Sequence, residues 1–319
     1  MTRFTMAFGL LASLGACGDD SSSTVDAGVD AAGDTAAESS VDQGRADLSV
    51  APDGAVAPTT CPDATLCGAT DIVVDAEWVA GHLFDADTVF VDVRSATDFE
   101  AGHLPGARRI DPGALRATVD GIAGQVVDEG TAETIFGDAG LLPSQAIVVY
   151  GTDTGTAPAR VVWTLEYFGH ERVALFDGGF SGWDGPVETD VAPFEPTSYG
   201  ATIDEARRVD VDDILPTLEE GSLSLVDART SGEFEGGHIP GALSVDWNRN
   251  VSGGALIEEA SYAAFYDSLD PAQPASAYCQ TGSRAAVAYV VLRALGFETS
   301  LYDGSWAEWG PRGDLPREP

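Results

Sequence analysis

Short apolar runs alternate with longer segments of helical periodicity from about residue 70 to the end of the chain. Runs of this length are typical of buried parallel strands. We predict strands at residues 88–91, 147–150, 173–176, 222–226, 275–278 and 299–302. Apolar periodicity predicts helices over about 158–168 and 284–295, each ended by a glycine, Gly169 or Gly296. This alternation predicts an α/β fold in which parallel sheets are flanked by helices.

The same sequence blocks occur twice. Val-Asp-Val-Arg at 91–94, followed by Gly-His-Leu-Pro-Gly-Ala at 102–107, recurs as Val-Asp-Ala-Arg at 226–229 and Gly-His-Ile-Pro-Gly-Ala at 237–242. Further along, Asp-Gly-Gly-Phe-Ser-Gly-Trp at 177–183 is echoed by Asp-Gly-Ser-Trp-Ala-Glu-Trp at 303–309. Two matched blocks in the same order identify an internal duplication. We therefore predict two tandem domains, a first copy at 68–187 and a second copy at 206–319, joined by a linker at 188–205.

The first 60 residues follow a different pattern and are not expected to fold. Arg3 precedes a short apolar stretch, which is too short to span a bilayer and is typical of a cleaved export signal. Residues 1–17 end in Leu-Gly-Ala-Cys, which resembles the bacterial lipobox and predicts a lipid on Cys17; an ordinary signal peptide with an incidental cysteine is the alternative. Residues 18–60 hold nine acidic residues, Arg45 and no aromatic residue, which predicts a disordered acidic tether.

These features predict an exported, lipid-anchored protein in the cell envelope or periplasm of a Gram-negative bacterium. Acidic residues dominate the chain, with 52 Asp and Glu against 16 basic residues and a formal net charge of −36. All the basic residues are arginine, so lysine Schiff-base chemistry and lysine-dependent phosphate loops are excluded. A nucleic-acid or anionic-membrane surface needs a basic footprint that this chain lacks. We therefore expect no nucleic-acid partner and membrane contact only through the lipid anchor.

The two copies differ where chemistry is expected. The second copy has Cys-Gln-Thr-Gly-Ser-Arg at 279–284, between a predicted strand and a predicted helix, and the first copy has Gly-Thr-Asp-Thr-Gly at 151–155. Loops at this edge of a parallel sheet bind ligands, and the helix dipole and free N–H groups favour an anion. We expect the thiol of Cys279, with Arg284 on the same loop, to react as the thiolate. The alternative is a buried cysteine that only fills space.

The duplicated blocks, the 279–284 loop and the 303–309 segment together resemble the rhodanese family, in particular the tandem-domain sulfurtransferases, over about residues 70–310. The resemblance implies two tandem rhodanese-like domains, each a parallel sheet flanked by helices, of which only the second is catalytic. It also implies that Cys279 takes sulfane sulfur from a small anionic donor such as thiosulfate. The resulting persulfide would pass its sulfur to cyanide or a thiol in a double displacement.

The resemblance also assigns substrate-binding residues. Arg229 corresponds to the family's substrate-binding arginine at the start of the second domain, and Arg284 lies on the loop itself, so both are candidates for holding a sulfonate. The residues that would cradle the persulfide with their N–H groups are Gln280, Thr281, Gly282 and Ser283. Animal rhodaneses carry a lysine at the position of Thr281, and this chain has none. Anion binding must therefore rest on arginine.

Two donors are compatible with this loop. The 3-mercaptopyruvate branch of the family usually shows Cys-Gly-Ser/Thr-Gly-Val here, and Gln280 with the Ser-Arg at 283–284 departs from it, which favours thiosulfate. Thr281 still offers a hydroxyl of the kind that the mercaptopyruvate branch uses. In that branch a first-domain histidine joins in proton transfer, and His103 matches its motif. His238 occupies the same place in the second copy, which favours a structural role for His103.

Other classes of function fit the sequence less well. A Cys-x5-Arg loop on a related fold serves dual-specificity phosphatases, but only four residues separate Cys279 from Arg284, so a phosphate group would fit poorly. The stronger alternative is a module that captures an anion or registers redox state through Cys279 without turnover. The His and Cys residues show no spacing typical of metal ligands, so we expect no metal and no cofactor.

Two cysteines are left once lipidation and catalysis are assigned. Cys61 and Cys67 lie near the start of the folded region and would form a small-loop disulfide in an oxidising compartment; two free surface thiols are the alternative. Since the two copies can bury their faces against each other, we expect a monomer.

Overall fold

The structure is a computed structural model that describes Leu66 and residues 71–319. The predicted lipidation site Cys17, the acidic tether, and Cys61 and Cys67 lie outside the described residues. All the described residues fall within one folded unit. In this part of the chain, no helix has the length and apolar character needed to cross a bilayer.

The first copy is built on five parallel strands. Its elements in chain order are β1 (Val73–Val74), α1 (Ala76–His82), β2 (Thr88–Asp92), α2 (Ala96–Ala101), β3 (Arg108–Arg109), β4 (Arg116–Val119), β5 (Ile122–Val126), α3 (Glu129–Asp138), β6 (Ala146–Tyr150), α4 (Thr156–Tyr167) and β7 (Val173–Phe176). The sheet order is β1-β7-β6-β2-β3, with parallel neighbours throughout. The middle strand, β6, is buried along its whole length, which explains its uniformly apolar sequence.

The second copy repeats this order strand for strand. Its elements are β8 (Arg208–Val209), α5 (Val211–Glu220), β9 (Ser224–Asp227), α6 (Ser231–Glu235), β10 (Leu243–Ser244), β11 (Val251–Ser252), β12 (Ala255–Leu256), α7 (Glu259–Ala263), β13 (Ala275–Tyr278), α8 (Ala285–Ala294), β14 (Thr299–Tyr302) and α9 (Ser305–Trp309). The sheet order is β8-β14-β13-β9-β10, again parallel. The predicted α/β class, with two matched parallel sheets, is confirmed.

Most differences from the predicted elements are at their ends. β7, β13 and β14 have the predicted bounds. The sequence predicts a strand from residue 222, but β9 begins at Ser224, where its pairing with β13 starts. α4 begins at Thr156, two residues before Pro158, because proline is tolerated in the first turn of a helix. Arg284, predicted inside a helix, is the N-cap of α8.

The sequence pattern does not predict two short antiparallel hairpins, β4–β5 and β11–β12. Each hairpin lies outside its own sheet and contacts the other copy. The N–H of Val126 in β5 donates to Asp303 of the second copy at 2.8 Å. The N–H of Leu256 in β12 donates to Asp177 of the first copy at 2.7 Å. The two domains therefore exchange hairpins in a pseudo-symmetric way, and each hairpin reaches the end of the other domain's sheet.

Helices α4 and α8 pack against each other between the two domains, and nearly every residue of both is buried. Polar side chains in such a contact need partners. Glu166 on α4 accepts a hydrogen bond from Tyr289 at 2.8 Å and pairs with Arg293 at 2.6 Å, both on α8. Arg160 on α4 pairs with Asp303 at 2.6 Å, and both side chains are buried. Because removing one partner leaves a buried charge, these pairs hold the domains in one arrangement.

Candidate active site

The loop at 279–284 connects β13, the middle strand of the second sheet, to α8. Cys279 is only 1% exposed. Its backbone N–H and carbonyl groups both form hydrogen bonds with the first residues of α9. Its N–H donates to Oγ of Ser305 at 3.2 Å. Its carbonyl accepts a hydrogen bond from the N–H of Trp306 at 3.0 Å. The thiol is therefore fixed at the carboxyl edge of the sheet, where α/β proteins bind their ligands.

Ser305, which binds the N–H of Cys279, has a backbone conformation that favours glycine. Its φ of 54° lies in the left-handed region, and the matching residue of the first copy, Gly179, also has a φ of 54°. Ser305 is fully buried, and its Oγ donates to the carbonyl of Tyr302 at 2.8 Å. Since glycine would adopt this conformation at lower cost, the hydroxyl group explains the serine. The sequence signal for Ser305 was the replacement of Gly179 by serine, one of four differences between the blocks at 177–183 and 303–309.

The loop presents unpaired backbone donors. Among the residues that the structure describes, no protein acceptor is found for the N–H groups of residues 280–284. Gly282 makes the turn with a φ of 80°, which favours glycine. The loop leads directly into α8, whose N-terminal dipole adds partial positive charge. This arrangement suits the anion cradle predicted for residues 280–283.

Arg284 lies at the end of the loop and is held by a carboxylate. Its Nη1 and Nη2 donate to the two carboxylate oxygens of Glu233 on α6 at 2.7 and 2.8 Å. The hydrogen bond from Arg284 lowers the pKa of Glu233 to about 2. The same hydrogen bond, aided by the nearby charge of Cys279, raises the pKa of Arg284 against the effect of burial. The guanidinium therefore stays charged and fixed beside the thiol, which fits the role predicted for it.

The structure places Arg229 in an ion pair with Asp227. Its Nε lies 3.0 Å from both carboxylate oxygens of Asp227, and its Nη2 pairs with the same carboxylate at 2.6 Å and donates to a backbone carbonyl. The residue is 2% exposed. Arg94 makes the same contacts with Asp92 in the first copy. Because both copies share this arrangement, the ion pair belongs to the fold, and contact of Arg229 with the substrate stays a prediction.

His103 also has a structural environment. Its ring is buried and stacks on Phe99, with centroids 3.9 Å apart, and its Nδ1 lies 2.8 Å from the carbonyl oxygen of Phe99. His238 repeats the stacking on Phe234 at 3.6 Å. The partners of His103 belong to the first copy and none belongs to the Cys279 loop. The geometry gives no support to a part in proton transfer at Cys279.

Two arginines of the first copy that sequence reasoning missed contact the loop. Arg116, at the start of β4, donates from Nη2 to the carbonyl of Thr281 at 3.1 Å. Arg160 on α4 lies so close to Gly282 that a Cβ atom there would clash with its Nη1. Within residues 71–319, Nε and Nη1 of Arg160 have no hydrogen-bond partner. Neither arginine lies in a repeated motif, so no local signal pointed to them.

The corresponding loop of the first copy is closed by the other hairpin. Gly151 takes the position of Cys279, and the N–H of Thr154 donates to the carbonyl of Gly254, between β11 and β12, at 2.7 Å. The hydroxyl of Thr154 donates to Asp177 at 2.6 Å. This loop therefore has no thiol and no cation of its own, and one of its N–H groups is already occupied.

The fold and the site together define the class of protein. It is a duplicated α/β protein in which one domain carries a thiol loop suited to hold an anion and to transfer a small group through a covalent cysteine intermediate. In the described part of the chain, no cluster of His, Cys, Asp and Glu that could hold a metal ion is found.

Comparison with known proteins gives the family. The model of the rhodanese-like domain matches residues 75–185 and 210–311, so the chain belongs to the rhodanese family. A thiosulfate sulfurtransferase of Corynebacterium glutamicum is 33% identical over 272 residues, which cover 77% of this chain and 90% of the relative. A 3-mercaptopyruvate sulfurtransferase of Escherichia coli K12 is 29% identical over 273 residues, which cover 77% of this chain and 97% of the relative.

Solved structures agree with this assignment. The crystal structure of SseA from Escherichia coli, a 3-mercaptopyruvate sulfotransferase, superposes with a TM-score of 0.66 at 27% identity and covers 74% of this chain and 98% of its own. An anaerobic ergothioneine biosynthesis enzyme from Chlorobium limicola gives a TM-score of 0.68 at 22% identity, with 77% of this chain and 70% of its own covered. The second likeness shows a shared fold alone.

Proposed function

We propose that the chain is a thiosulfate sulfurtransferase that moves sulfane sulfur to cyanide or a thiol through a persulfide on Cys279. In the first half-reaction the Cys279 thiolate attacks the outer sulfur of thiosulfate. A new S–S bond forms, the S–S bond of thiosulfate breaks, and sulfite leaves with the bonding electron pair. In the second half-reaction the acceptor attacks the outer sulfur of the persulfide, and Cys279 leaves as the thiolate. The two steps balance without an external oxidant or reductant.

The loop supplies the electrostatics for both steps. The persulfide is an anion, and the free N–H groups of residues 280–284 and the N-terminus of α8 follow its attachment point directly in the chain. Arg284 adds a full charge at a fixed place, because Glu233 holds both of its terminal nitrogens. The hydroxyl of Ser305 accepts a hydrogen bond from the N–H of Cys279 and so fixes the backbone of the nucleophile.

One observation carries the proposal: Cys279 stands where the first copy has Gly151, on the loop that has free N–H groups and an arginine. Relatives named as thiosulfate sulfurtransferases support it. The test is to incubate the protein with thiosulfate and cyanide and to measure thiocyanate, with mass spectrometry of the intact chain. We expect thiocyanate and a mass gain of one sulfur atom on Cys279. An adduct without thiocyanate would instead indicate a sensor or another acceptor.

The choice of donor has its own test, since relatives of both names are similar to the chain. Thiosulfate is favoured because a dianion suits a loop surrounded by guanidinium groups, and because His103 has structural partners. We expect a higher kcat/KM on thiosulfate than on 3-mercaptopyruvate, measured side by side. A preference for 3-mercaptopyruvate would assign the chain to that activity.

We also propose that the enzyme is exported as a monomer and held at the envelope by a lipid on Cys17. The short apolar stretch before Cys17 and the acidic segment after it support this proposal. Cells expressing the full chain should place it in the membrane fraction, and Cys17→Ser should release it or block its processing. Size-exclusion chromatography of the processed protein would report its oligomeric state.

For the two remaining cysteines we propose a disulfide between Cys61 and Cys67, which fits an exported protein. Unreduced mature protein should then label a single thiol, Cys279, after thiosulfate is removed. Labelling of Cys61 and Cys67 as well would contradict the bridge.

A further inference from the structure

The β4–β5 hairpin brings a cation of the first domain to the catalytic loop of the second. Val126 anchors one strand of the hairpin on Asp303 at 2.8 Å. Arg116, which pairs with Val126 across the hairpin, donates to the carbonyl of Thr281 at 3.1 Å and lies 3.4 Å from the carbonyl of Gly124 through Nε. The guanidinium is thus held against the loop by backbone carbonyls.

Gly124 allows the hairpin to approach this closely. Its φ is 89°, and a Cβ atom there would lie 2.6 Å from Nη2 of Arg116 and 3.2 Å from Cβ of Thr281. Gly121 in the same hairpin has a similar φ of 83°, but nothing lies within 4 Å of its Cβ position. The hairpin therefore needs glycine at residue 124 for the contact and at residue 121 only for the turn.

Arg116 differs from the other arginines near Cys279 in its partners. Arg284 is paired with Glu233, and Arg160 with Asp303. Among the described residues, Arg116 has no carboxylate partner, and its contacts are with carbonyl groups that carry no formal charge. Its guanidinium therefore contacts the loop without an ion-pair partner among the described residues.

The energetic surroundings of Arg116 favour an incoming anion. Burial lowers the pKa of Arg116, the charge of Arg160 lowers it further, and the charges of Asp303 and Cys279 partly oppose this. The guanidinium is thus a partly desolvated cation that also faces another cation. An anion that binds there relieves both costs, and charge-assisted hydrogen bonds to such a group are strong.

The two hairpins differ at this position. Val251 pairs with Leu256, and Leu256 donates to Asp177 in the way that Val126 donates to Asp303. Val251 therefore occupies in the second hairpin the place of Arg116 in the first. The hairpin over the loop without a thiol carries valine, and the hairpin over the thiol loop carries arginine. Since the two hairpins share the same fold, the fold alone does not explain the arginine.

We propose that Arg116, supplied by the domain without the thiol, binds the sulfonate end of the anionic sulfur donor while Cys279 attacks its outer sulfur. This inference rests on the proposed sulfur transfer. It gives the first domain a direct part in substrate binding and adds a second arginine, beside Arg284, that can hold the sulfonate.

The experiment compares the full-length wild type with Arg116→Gln and Arg116→Lys in thiosulfate:cyanide turnover and in the separate half-reactions. We expect Arg116→Gln to raise the KM for thiosulfate about 10- to 100-fold while changing kcat less than about threefold, since a charge-assisted contact to the substrate is lost. Arg116→Lys should recover part of the affinity. Discharge of the preformed persulfide by cyanide should be unchanged, because sulfite has already left.

Arg172→Gln is the matched control. It removes one positive charge from the same domain, but Arg172 lies at the opposite, amino end of the first sheet, where its carbonyl bonds to Ile147 and its side chain pairs with Asp87. We expect its KM for thiosulfate to equal that of the wild type. An equal rise in both arginine variants would show an effect of net charge alone and overturn the proposal.

A second pair of variants tests the position without removing the charge. Gly124→Ala displaces Arg116 and Gly121→Ala does not, although both strain the turn. We expect only Gly124→Ala to raise the KM. The proposal fails if Arg116→Gln leaves the KM unchanged, or if it slows both half-reactions equally, as a merely structural arginine would. Wild type that forms no persulfide would instead overturn the proposed function itself.

Discussion

The two loops at 151–155 and 279–284 have the same place at the end of a middle strand, yet only one of them is equipped for chemistry. The first has Gly151, an N–H group occupied by Gly254, and glycine at φ 54° in the supporting turn. The second has Cys279, free N–H groups, and Ser305 in the same strained turn. The comparison shows that the duplicated backbone supplies the same edge twice, while a few side chains and the opposite hairpin make the two loops different.

The largest effect is expected from moving the thiol between the loops. Cys279→Ser should lower sulfur transfer by at least about 10⁴-fold, because no other nucleophile replaces the thiolate. Adding Gly151→Cys to this variant should not restore turnover, since a Cβ at Gly151 would lie 3.2 Å from the Asp153 carbonyl and from Pro158. The rate of thiocyanate formation from thiosulfate and cyanide reports the activity of both variants. Recovery in the double variant would show that the first loop is as competent as the second.

Arg284→Gln tests the loop's own cation. We expect a loss of about 10²- to 10³-fold in kcat, similar to the removal of one donor from an oxyanion hole. Glu233→Gln should lose less than about tenfold, because the amide still holds the guanidinium through one hydrogen bond. Steady-state kinetics with thiosulfate gives the kcat of each variant and so distinguishes the two losses. Equal losses of kcat in the two variants would show that the ion pair matters only for the structure and that Arg284 has no separate effect on the reaction.

A pH effect on stability is expected from a buried histidine of the first copy. His170 is buried between the hydroxyl of Tyr199 and the carbonyl of Gln145, each at 2.8 Å, while the second copy has Phe297 at the corresponding place. Burial lowers the pKa of His170 to about 4. Below pH about 6.5 the imidazole of His170 therefore binds a proton in the unfolded chain but stays neutral in the folded chain. The free energy of unfolding falls towards pH 4 by up to about 3 kcal/mol.

His170→Gln should flatten this dependence. The measurement is the urea midpoint of unfolding at intervals between pH 7 and pH 4, for the wild type and the variant. Above pH 6.5 the contribution of the buried neutral imidazole is fully present, so the slopes should differ only below it. Parallel slopes over the whole range would contradict the assignment.

The smallest effect is expected at Ser305. Ser305→Ala keeps the strained backbone and loses the hydroxyl, and Ser305→Gly loses the hydroxyl but relieves the strain. Both should lower turnover about fivefold, the worth of one hydrogen bond of about 1 kcal/mol. Only the glycine variant should match or exceed the wild type in thermal midpoint. Full turnover in Ser305→Gly would show that the serine does not support Cys279.

Sequence reasoning could predict Cys279 and Arg284 as site residues because the evidence for them is local: a thiol and a cation on the loop between an apolar strand and a helix. For Arg229 it predicted substrate binding but not the ion pair, in which the side chain turns back to Asp227, two positions earlier in the chain. Which way a long side chain turns is decided by the partners around it, and a motif does not contain them.

The sequence by itself determined the duplication, the order of buried strands and the one loop that carries a thiol, since apolar runs and repeated motifs are properties of neighbouring residues. Only the tertiary structure decided the exchange of hairpins and the two first-domain arginines that contact the loop. Arg116 and Thr281 are 165 residues apart in the chain. A contact of that separation is created by the packing of two domains, and neither residue carries a pattern that points to the other.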